Sequence, residues 1–355
     1  MKNLLLASTA LIGFAGFAAA EVVVEGSAEM GVTGGDDKET QFHNSYNINF
    51  VMSGETDTGL SFGATYRLDA DGSSEENQNP VGDNGTVFIS GAFGKLTLGD
   101  TDGALDWAMT ETAMGTSITD EGTTHVGYYG NAHGDGRNDD QVLRYEYAFG
   151  DFGVALSVEQ DDGNFIAASG LDNNGTPLNN TDDFAVAGDS SGDGDPIIGL
   201  GAKYATEMSG VALGFGLGYQ TGQIRFSDGT QTTGVAGAVG AGVGYQDFDA
   251  YGVSAKAAMD AGFSIVLNYS VMDFDVSDDW DHFGIGLGYE MGALLLHANY
   301  GKFDFDGATE DQDSFGLIAN YDLGGGAILA AGYASDVSTD DGDQDQFSLG
   351  MSLSF

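Results

Sequence analysis

The sequence predicts an all-β chain, a closed 16-stranded antiparallel barrel that crosses a membrane. Three observations lead there. From Glu21 onward, apolar and polar residues alternate over segments of about eight to twelve residues. Although 41% of the residues are hydrophobic, only the first twenty residues hold a long apolar run, and nothing approaches the ~18 consecutive apolar residues of a membrane helix. The alternating segments number sixteen, and an even count returns both ends of the chain to one side.

The elements follow in order. Lys2, the apolar stretch from Leu4 to Phe17 and Ala18-Ala19-Ala20 form a secretory leader, so 1–20 is read as signal peptide with cleavage before Glu21. Residues 21–355 form one barrel domain. Its strands are expected at 22–33, 42–53, 60–69, 86–93, 95–99, 141–149, 152–160 and 197–206, then at 211–221, 245–259, 262–273, 280–290, 293–303, 313–322, 327–336 and 345–355. Short connectors at 55–59, Gly94, Gly150-Asp151, Asp260-Ala261 and Gly324-Gly325-Gly326 alternate with long acidic ones such as 70–85, 100–140 and 161–196. Short turns opposite long loops are what a membrane barrel shows. Pro80, Pro177 and Pro196 all fall in loops, as the missing N–H requires. The last strand is the clearest: Phe347, Leu349, Met351, Leu353 and Phe355 alternate with Ser348, Gly350, Ser352 and Ser354.

Charge tests the facing. Arg67, Arg144, Lys203 and Lys256 each fall on the polar phase of their segments, where water and not lipid is expected. Phe42, Tyr66, Phe93, Tyr145, Tyr147, Phe149, Tyr204, Tyr219, Tyr251, Tyr289, Tyr300 and Tyr321 stand near strand ends and suit interfacial girdles. A soluble sandwich or solenoid shows the same alternation, and the girdles favour lipid over a protein core. With no cysteine, the exported chain relies on neither disulfides nor cysteine-bound metal. A formal charge of -45 excludes nucleic acid as partner, because like charges repel a phosphate backbone, and makes cations the natural counterparts.

Four stretches carry a family likeness: 52–64 (Met52 to Ala64), 85–100 (Gly85 to Asp100), 321–326 (Tyr321 to Gly326) and the terminal Phe355. On these the chain resembles the trimeric general-diffusion porins of alphaproteobacteria, of the Rhodobacter type. The resemblance implies a homotrimer in the outer membrane of a Gram-negative bacterium, a third external loop folded into the barrel, and passive diffusion of ions and small hydrophilic solutes. Phe355 after an alternating strand looks like the signal read by the barrel-assembly machinery.

In such porins, carboxylates on the third loop face basic side chains on the opposite wall. The matching loop, 100–140, carries Asp100, Asp102, Asp106, Glu111, Asp120 and Glu121, then Asp135, Arg137, Asp139 and Asp140. The wall offers His43, Arg67, Lys95, Arg144, Lys203 and Lys256. Relatives often cluster arginines on the second and third strands; here His43, Asn47 and Asn49 accompany a single Arg67. Nine basic residues against fifty-five acidic ones after the leader lead us to expect weak cation selectivity.

No cofactor is required. Asp193 and Asp195, Asp304 and Asp306, and Asp340 and Asp341 lie in clusters suited to Ca²⁺, ordering loops or bridging them to lipopolysaccharide, although none has EF-hand spacing and solvated loops give the same pattern. His43, His125, His133, His282 and His297 accompany no His-Glu-x-x-His pair and no P-loop, so a wall histidine is favoured over a catalytic base, His297 included. Two other functions stay open. One is a substrate-specific porin with a solute track along 161–196, Trp107, Tyr128 and Tyr129; the other is a secreted, soluble calcium-binding β-protein.

Overall fold

The computed structural model describes residues 20–36, 38–71, 85–118, 133, 135, 141–161, 194–231, 241–307, 312–339 and 342–355. Sixteen strands follow one another: β1 (Glu21–Gly35), β2 (Lys38–Glu55), β3 (Ser61–Asp71), β4 (Gly85–Gly91), β5 (Gly94–Gly99), β6 (Val142–Phe149), β7 (Phe152–Glu159) and β8 (Ile197–Met208). The second half is β9 (Val211–Gln231), β10 (Ala241–Met259), β11 (Phe263–Phe274), β12 (Trp280–Met291), β13 (Leu294–Phe305), β14 (Gln312–Gly324), β15 (Ala327–Thr339) and β16 (Gly342–Ser354). Each pairs antiparallel with its neighbours in sequence, and β16 returns to β1 to close the barrel. Closure satisfies every strand edge, the condition for a sheet to sit in hydrocarbon.

All sixteen expected segments are strands. The largest departure is at β9 and β10, which run on as a paired hairpin to Gln231↔Ala241 although the alternation fades after 221 and resumes only at 245. Beyond the lipid both faces of a hairpin meet water, so backbone pairing continues where side chains no longer need to alternate. At the seam, Ser27↔Ser354 through Gly35↔Gln346 pair, and the Phe355 N–H donates to Gly26 O at 2.7 Å.

The two faces sort as the alternation requires. On β6, Leu143, Tyr145, Tyr147 and Phe149 are exposed on the outer surface, whereas Val142 and Arg144 are buried on the inner one. Rings along the short-turn end meet in series: Tyr147–Phe149, Phe149–Phe152, Phe152–Tyr204 and Tyr204–Phe215 have centroids 6.3, 5.7, 4.6 and 6.5 Å apart, the third pair tilted and the others stacked. At the long-loop end, outward tyrosines donate to outward aspartates on the following strand. Tyr219 pairs with Asp249, Tyr269 with Asp281 and Tyr333 with Asp345, at 2.5, 2.8 and 2.6 Å. Tyr251 to Asp273 (3.1 Å) and Tyr300 to Asp313 (3.2 Å) repeat the motif.

Among the bases whose side chains the structure describes, one departs from the inward rule. Lys302 shares the outward phase of β13 with the exposed Leu296 and Tyr300, and its Nζ lies 3.7 Å from Asp304. It stands four residues beyond Ala298, at the long-loop rim, where a lysine stem reaches the interface and its charge stays in water.

The candidate pore constriction

A chain segment fills part of the space the strands enclose. After β5 the third long loop turns inward, forms the short helix α1 (Ala104–Ala108), and continues to Ile118 along the inner wall. Ala104, Leu105 and Ala108 are buried, and α1 packs on β7, β8 and β9.

Anchors succeed one another around the barrel. The Ala104 N–H donates to Ser157 Oγ on β7 at 2.8 Å, and the Thr110 N–H to Ser254 Oγ on β10 at 2.9 Å. Asn268 on β11 donates to Thr110 O at 2.9 Å. Asn320 on β14 brackets Thr116, accepting from its N–H and donating to its carbonyl, both at 2.8 Å. The Ile118 N–H donates to Ser348 Oγ on β16 at 3.2 Å.

Between these anchors the wall is made of glycine. A Cβ on Gly201 would overlap the Ala104 carbonyl, one on Gly216 the Ala108 carbonyl, and one on Gly286 the Thr112 carbonyl. At Gly218 it would stand 2.7 Å from Leu105 Cγ, and at Gly252 2.7 Å from Met109 Cε. These glycines remove side chains where another backbone must approach. Leu105 and Met109 join Ile197, Ile224, Phe248, Ala250 and Met272 in a small apolar core, so the inward segment is held by packing as well as by hydrogen bonds.

The root of the loop is tied where it leaves and where it returns. Arg144 on β6, 7% exposed, donates from Nη1 to Asp102 O at 2.5 Å and lies 3.7 Å from the Asp102 carboxylate. Lys203 on β8 sits 3.6 Å from the Trp107 ring centroid and 3.5 Å from its carbonyl. Asp135, on the returning limb, accepts from the Gly103 N–H at 2.5 Å and from Gln220 Nε2 at 2.8 Å; the same Gln220 amide donates to His133 O. Burial pushes the Asp106 carboxyl up to about 8, helped by Asp102, Asp135 and Glu111 and opposed by Arg144. Asp135 is raised too, chiefly by burial. Burial, with His282 beside it, lowers His133 to about 3.

The expected site residues divide accordingly. Asp102, Asp106 and Glu111 lie on the inward loop and Asp100 at its start; Asp120 and Glu121 lie outside the described residues. Arg144 and Lys203 face inward, but as clamps on the loop. Because the loop leans on the wall from β6 round to β16, the remaining space is bounded by β1–β5, which carry His43, Arg67 and Lys95. There His43 lies 4.0 Å from Glu29, and Lys95 lies 3.6 Å from Glu146 and 4.9 Å from the Phe88 ring. Lys256 is half-buried on the inner face of β10, beside Gly214. His297 is buried on the inner face, its Nδ1 2.9 Å from Leu287 O and its Nε2 2.9 Å from Asn299 Nδ2.

Sequence reasoning missed the partners Glu29 and Glu146, the anchors Ser157, Gln220, Ser254, Asn268, Asn320 and Ser348, and the glycine cradle. A signal for the cradle was present: glycine occupies the inward phase in Gly199-Leu200-Gly201, Gly214-Phe215-Gly216-Leu217-Gly218 and Gly284-Ile285-Gly286-Leu287-Gly288. Two Gly-x-Ser-x-Gly runs, 59–63 and 188–192, also went unread. The first spans a hairpin turn into β3, not the strand-to-helix elbow of a hydrolase, and the second lies outside the described residues. Among the described residues no three His, Cys, Asp or Glu side chains gather to hold a metal ion. Asp193, Asp340 and Asp341 lie outside them.

The barrel has known counterparts. A family model described as Gram-negative porin matches residues 7–342. A porin of Rhodobacter capsulatus is 30% identical over 295 residues, covering 77% of this chain and 90% of that protein. A porin structure refined at 1.8 Å superposes with a TM-score of 0.62 at 23% identity, covering 94% of this chain and all of the other. A mutant of Rhodopseudomonas blastica porin gives a TM-score of 0.63 at 19% identity with the same coverage of this chain. The chain therefore belongs to the Gram-negative porin family, as an outer-membrane channel for passive diffusion.

Proposed function

We propose that the channel is weakly cation-selective, that it works as a homotrimer, and that it performs no chemistry on what it passes. The observation that carries the selectivity is the balance of charge across the remaining space. The loop presents the carboxylates of Asp102 and Glu111, joined by Asp106 as its raised carboxyl ionises, while two inward bases, Arg144 and Lys203, are engaged by the loop itself. On the facing wall His43 and Lys95 are matched by Glu29 and Glu146, and Arg67 is set against fifty-five acidic residues in the chain as a whole. The field left over is negative, and a low-dielectric wall focuses it.

Reversal potentials across a planar bilayer under a KCl gradient test this reading. A cation-positive potential that shrinks as salt rises from 0.1 to 1 M is expected, since the Debye length falls from about 10 to about 3 Å. An anion preference would overturn it. Conductance steps in groups of three, matched by the mass of the detergent-solubilised particle, test the trimer, which rests on family likeness.

A second reading, a saturable solute-specific channel, draws support from inward aromatic residues near the long-loop end. Trp280 meets Phe303 edge-on at 5.2 Å, and Phe303 stacks with Phe305 at 5.7 Å. Solute flux that saturates and shows competition would favour it over general diffusion. Calcium between acidic loops, or bridging them to lipopolysaccharide, is a further proposal resting on Asp193, Asp195, Asp304, Asp306, Asp340 and Asp341. An unchanged melting temperature with chelator would remove it. Leader cleavage before Glu21 fits a first strand that begins at that residue, and N-terminal sequencing of the exported protein checks it.

A further inference from the structure

The lipid-facing wall is not uniformly convex. Across β11–β15 the outward side chains leave a groove of about 910 Å³. Register explains it. One row across the strands reads Phe263, Tyr289, Leu296, Ala319, Ala331; the next reads Ile265, Leu287, Ala298, Leu317, Tyr333. Ala298, Ala319 and Ala331 form a low floor between tall walls.

The walls are fixed in place. Phe263 and Tyr289 stack with centroids 4.4 Å apart at the short-turn end, and the Tyr333 hydroxyl donates to Asp345 at 2.6 Å at the other. The groove therefore runs from one aromatic girdle toward the other, across the apolar band and continuous with a surface that the bilayer covers. Its volume falls within the ~300–1,000 Å³ of small-molecule sites.

We propose that this groove is a specific seat for one acyl chain of an outer-membrane lipid. The reasoning concerns packing, not hydrophobicity. Lipid tails are as apolar as leucine, so no area term favours one lipid-facing patch over another. What differs is contact: a depression that stays unfilled forfeits dispersion along its whole lining, whereas a chain laid into it touches floor and both walls. The lining is almost wholly apolar, with polar side-chain groups where the Tyr289 and Tyr333 hydroxyls stand at its ends. A hydrocarbon chain, flexible and narrow, fits where a flat protein surface would bridge the gap.

The test uses the intact mature protein extracted in detergent and titrated with palmitoyl-oleoyl-phosphatidylethanolamine, read by native mass spectrometry. One saturable lipid per barrel is expected to persist after the loosely held lipids are stripped. Filling the floor with Ala298→Leu, Ala319→Leu and Ala331→Leu together should weaken its retention about tenfold. Ala64→Leu with Ala202→Leu, which adds the same kind of bulk to the outer face of β3 and β8, should leave it unchanged. Unaltered single-channel conductance certifies that each variant has folded and inserted; if the triple variant fails that check, Ala319→Leu alone carries the comparison. Three results would overturn the proposal: no retained lipid on the native protein, equal loss in groove and control variants, or a change in subunit number with lipid retention untouched. The last would make the groove a protein interface.

Discussion

Alanine placed under the inward loop should narrow the channel, and alanine placed beside it should not. Gly214, Gly216 and Gly218 share the inner face of β9, so one strand supplies both the perturbation and its control. A Cβ on Gly218 would lie 2.7 Å from Leu105 Cγ and 2.8 Å from Leu105 Cα. Ordinary carbon contacts are about 3.5–4.0 Å, so α1 must lift from the wall by about 1 Å. On Gly216 the new carbon would overlap the Ala108 carbonyl and approach Ser254 Oγ to 2.6 Å, with the same consequence. Overpacking of this kind costs about 1–3 kcal/mol, which the loop relieves by moving in the one direction not blocked by wall, toward the water. On Gly214 the nearest neighbour would be Lys256 Cβ at 3.8 Å, an ordinary contact. Single-channel conductance in 1 M KCl should therefore fall for Gly216→Ala and Gly218→Ala and stay at the native value for Gly214→Ala. Equal conductance in all three would show that the loop does not bound the channel, and an equal loss in all three would show that the effect belongs to the strand and not to the loop.

Three further outcomes are expected. Asp106 is mostly neutral at pH 7, because its carboxyl is raised to about 8; it gains its charge as pH climbs, so cation preference measured by reversal potential should increase between pH 7 and 9 and stay flat in Asp106→Asn. The docked loop binds that proton more tightly than water-exposed chain does, so its attachment should weaken across the interval from the ordinary carboxylate value up through about 8, visible as growing current noise. Gln220→Ala removes the donor shared by Asp135 and the His133 carbonyl, hydrogen bonds worth about 0.5–1.5 kcal/mol each; brief closures should multiply in single-channel records while mean open conductance holds, and quiet records would assign the clasp no part in holding the loop. Phe355 is 79% exposed and its backbone still pairs with Gly26, so Phe355→Ser should lower the yield of inserted protein without lowering the melting temperature of what does insert; a lowered melting temperature would make the ring a structural element instead of an assembly signal.

The barrel was legible because lipid imposes a rule that every strand must obey. Leu143 and Arg144 had to point opposite ways, and a period of two repeated sixteen times records that demand. Where the rule lapses, legibility lapses too: the backbone pairing of β9 with β10 runs on to Gln231↔Ala241 past the end of the alternation, and Lys302 lies at the rim where outward no longer means buried in hydrocarbon. The constriction was only half legible. Asp102, Asp106 and Glu111 could be named because a charged loop of that length is conspicuous between short strands. The roles of Arg144 and Lys203 could not, since a base on the inner phase looks the same whether it faces water or grips a backbone. Gln220, Ser254 and Asn320 were invisible for the complementary reason that a polar residue is what any water-facing position would carry. Only the glycines held an unread clue. An inner wall in contact with water alone has no need to lose its side chains, and the glycine alternations on β8, β9 and β12 announce a second backbone lying against them.

The same economy governs the acids. A chain with fifty-five carboxylates can cross a membrane only if each is delivered to water or to a donor, and the fold provides two places besides the loops. At the outer rim, Asp249, Asp273, Asp281, Asp313 and Asp345 each accept a tyrosine hydroxyl from the neighbouring strand, so the girdle that marks the lipid boundary also solvates the charge above it. Inside, Asp135 accepts from the loop backbone and from Gln220, while Asp106 is spared part of its charge by holding a proton. The two solutions differ in what they leave for a passing ion. Rim carboxylates are spent on the bilayer side of the wall and contribute only at long range, where salt screens them within about 10 Å at 0.1 M. On the loop the Asp102 carboxylate, 61% exposed, faces the water that the ion crosses, where the wall confines the field. Selectivity should accordingly follow substitutions on the loop and ignore those on the rim: Asp102→Asn should reduce the cation preference, and Asp281→Asn should leave it where it was.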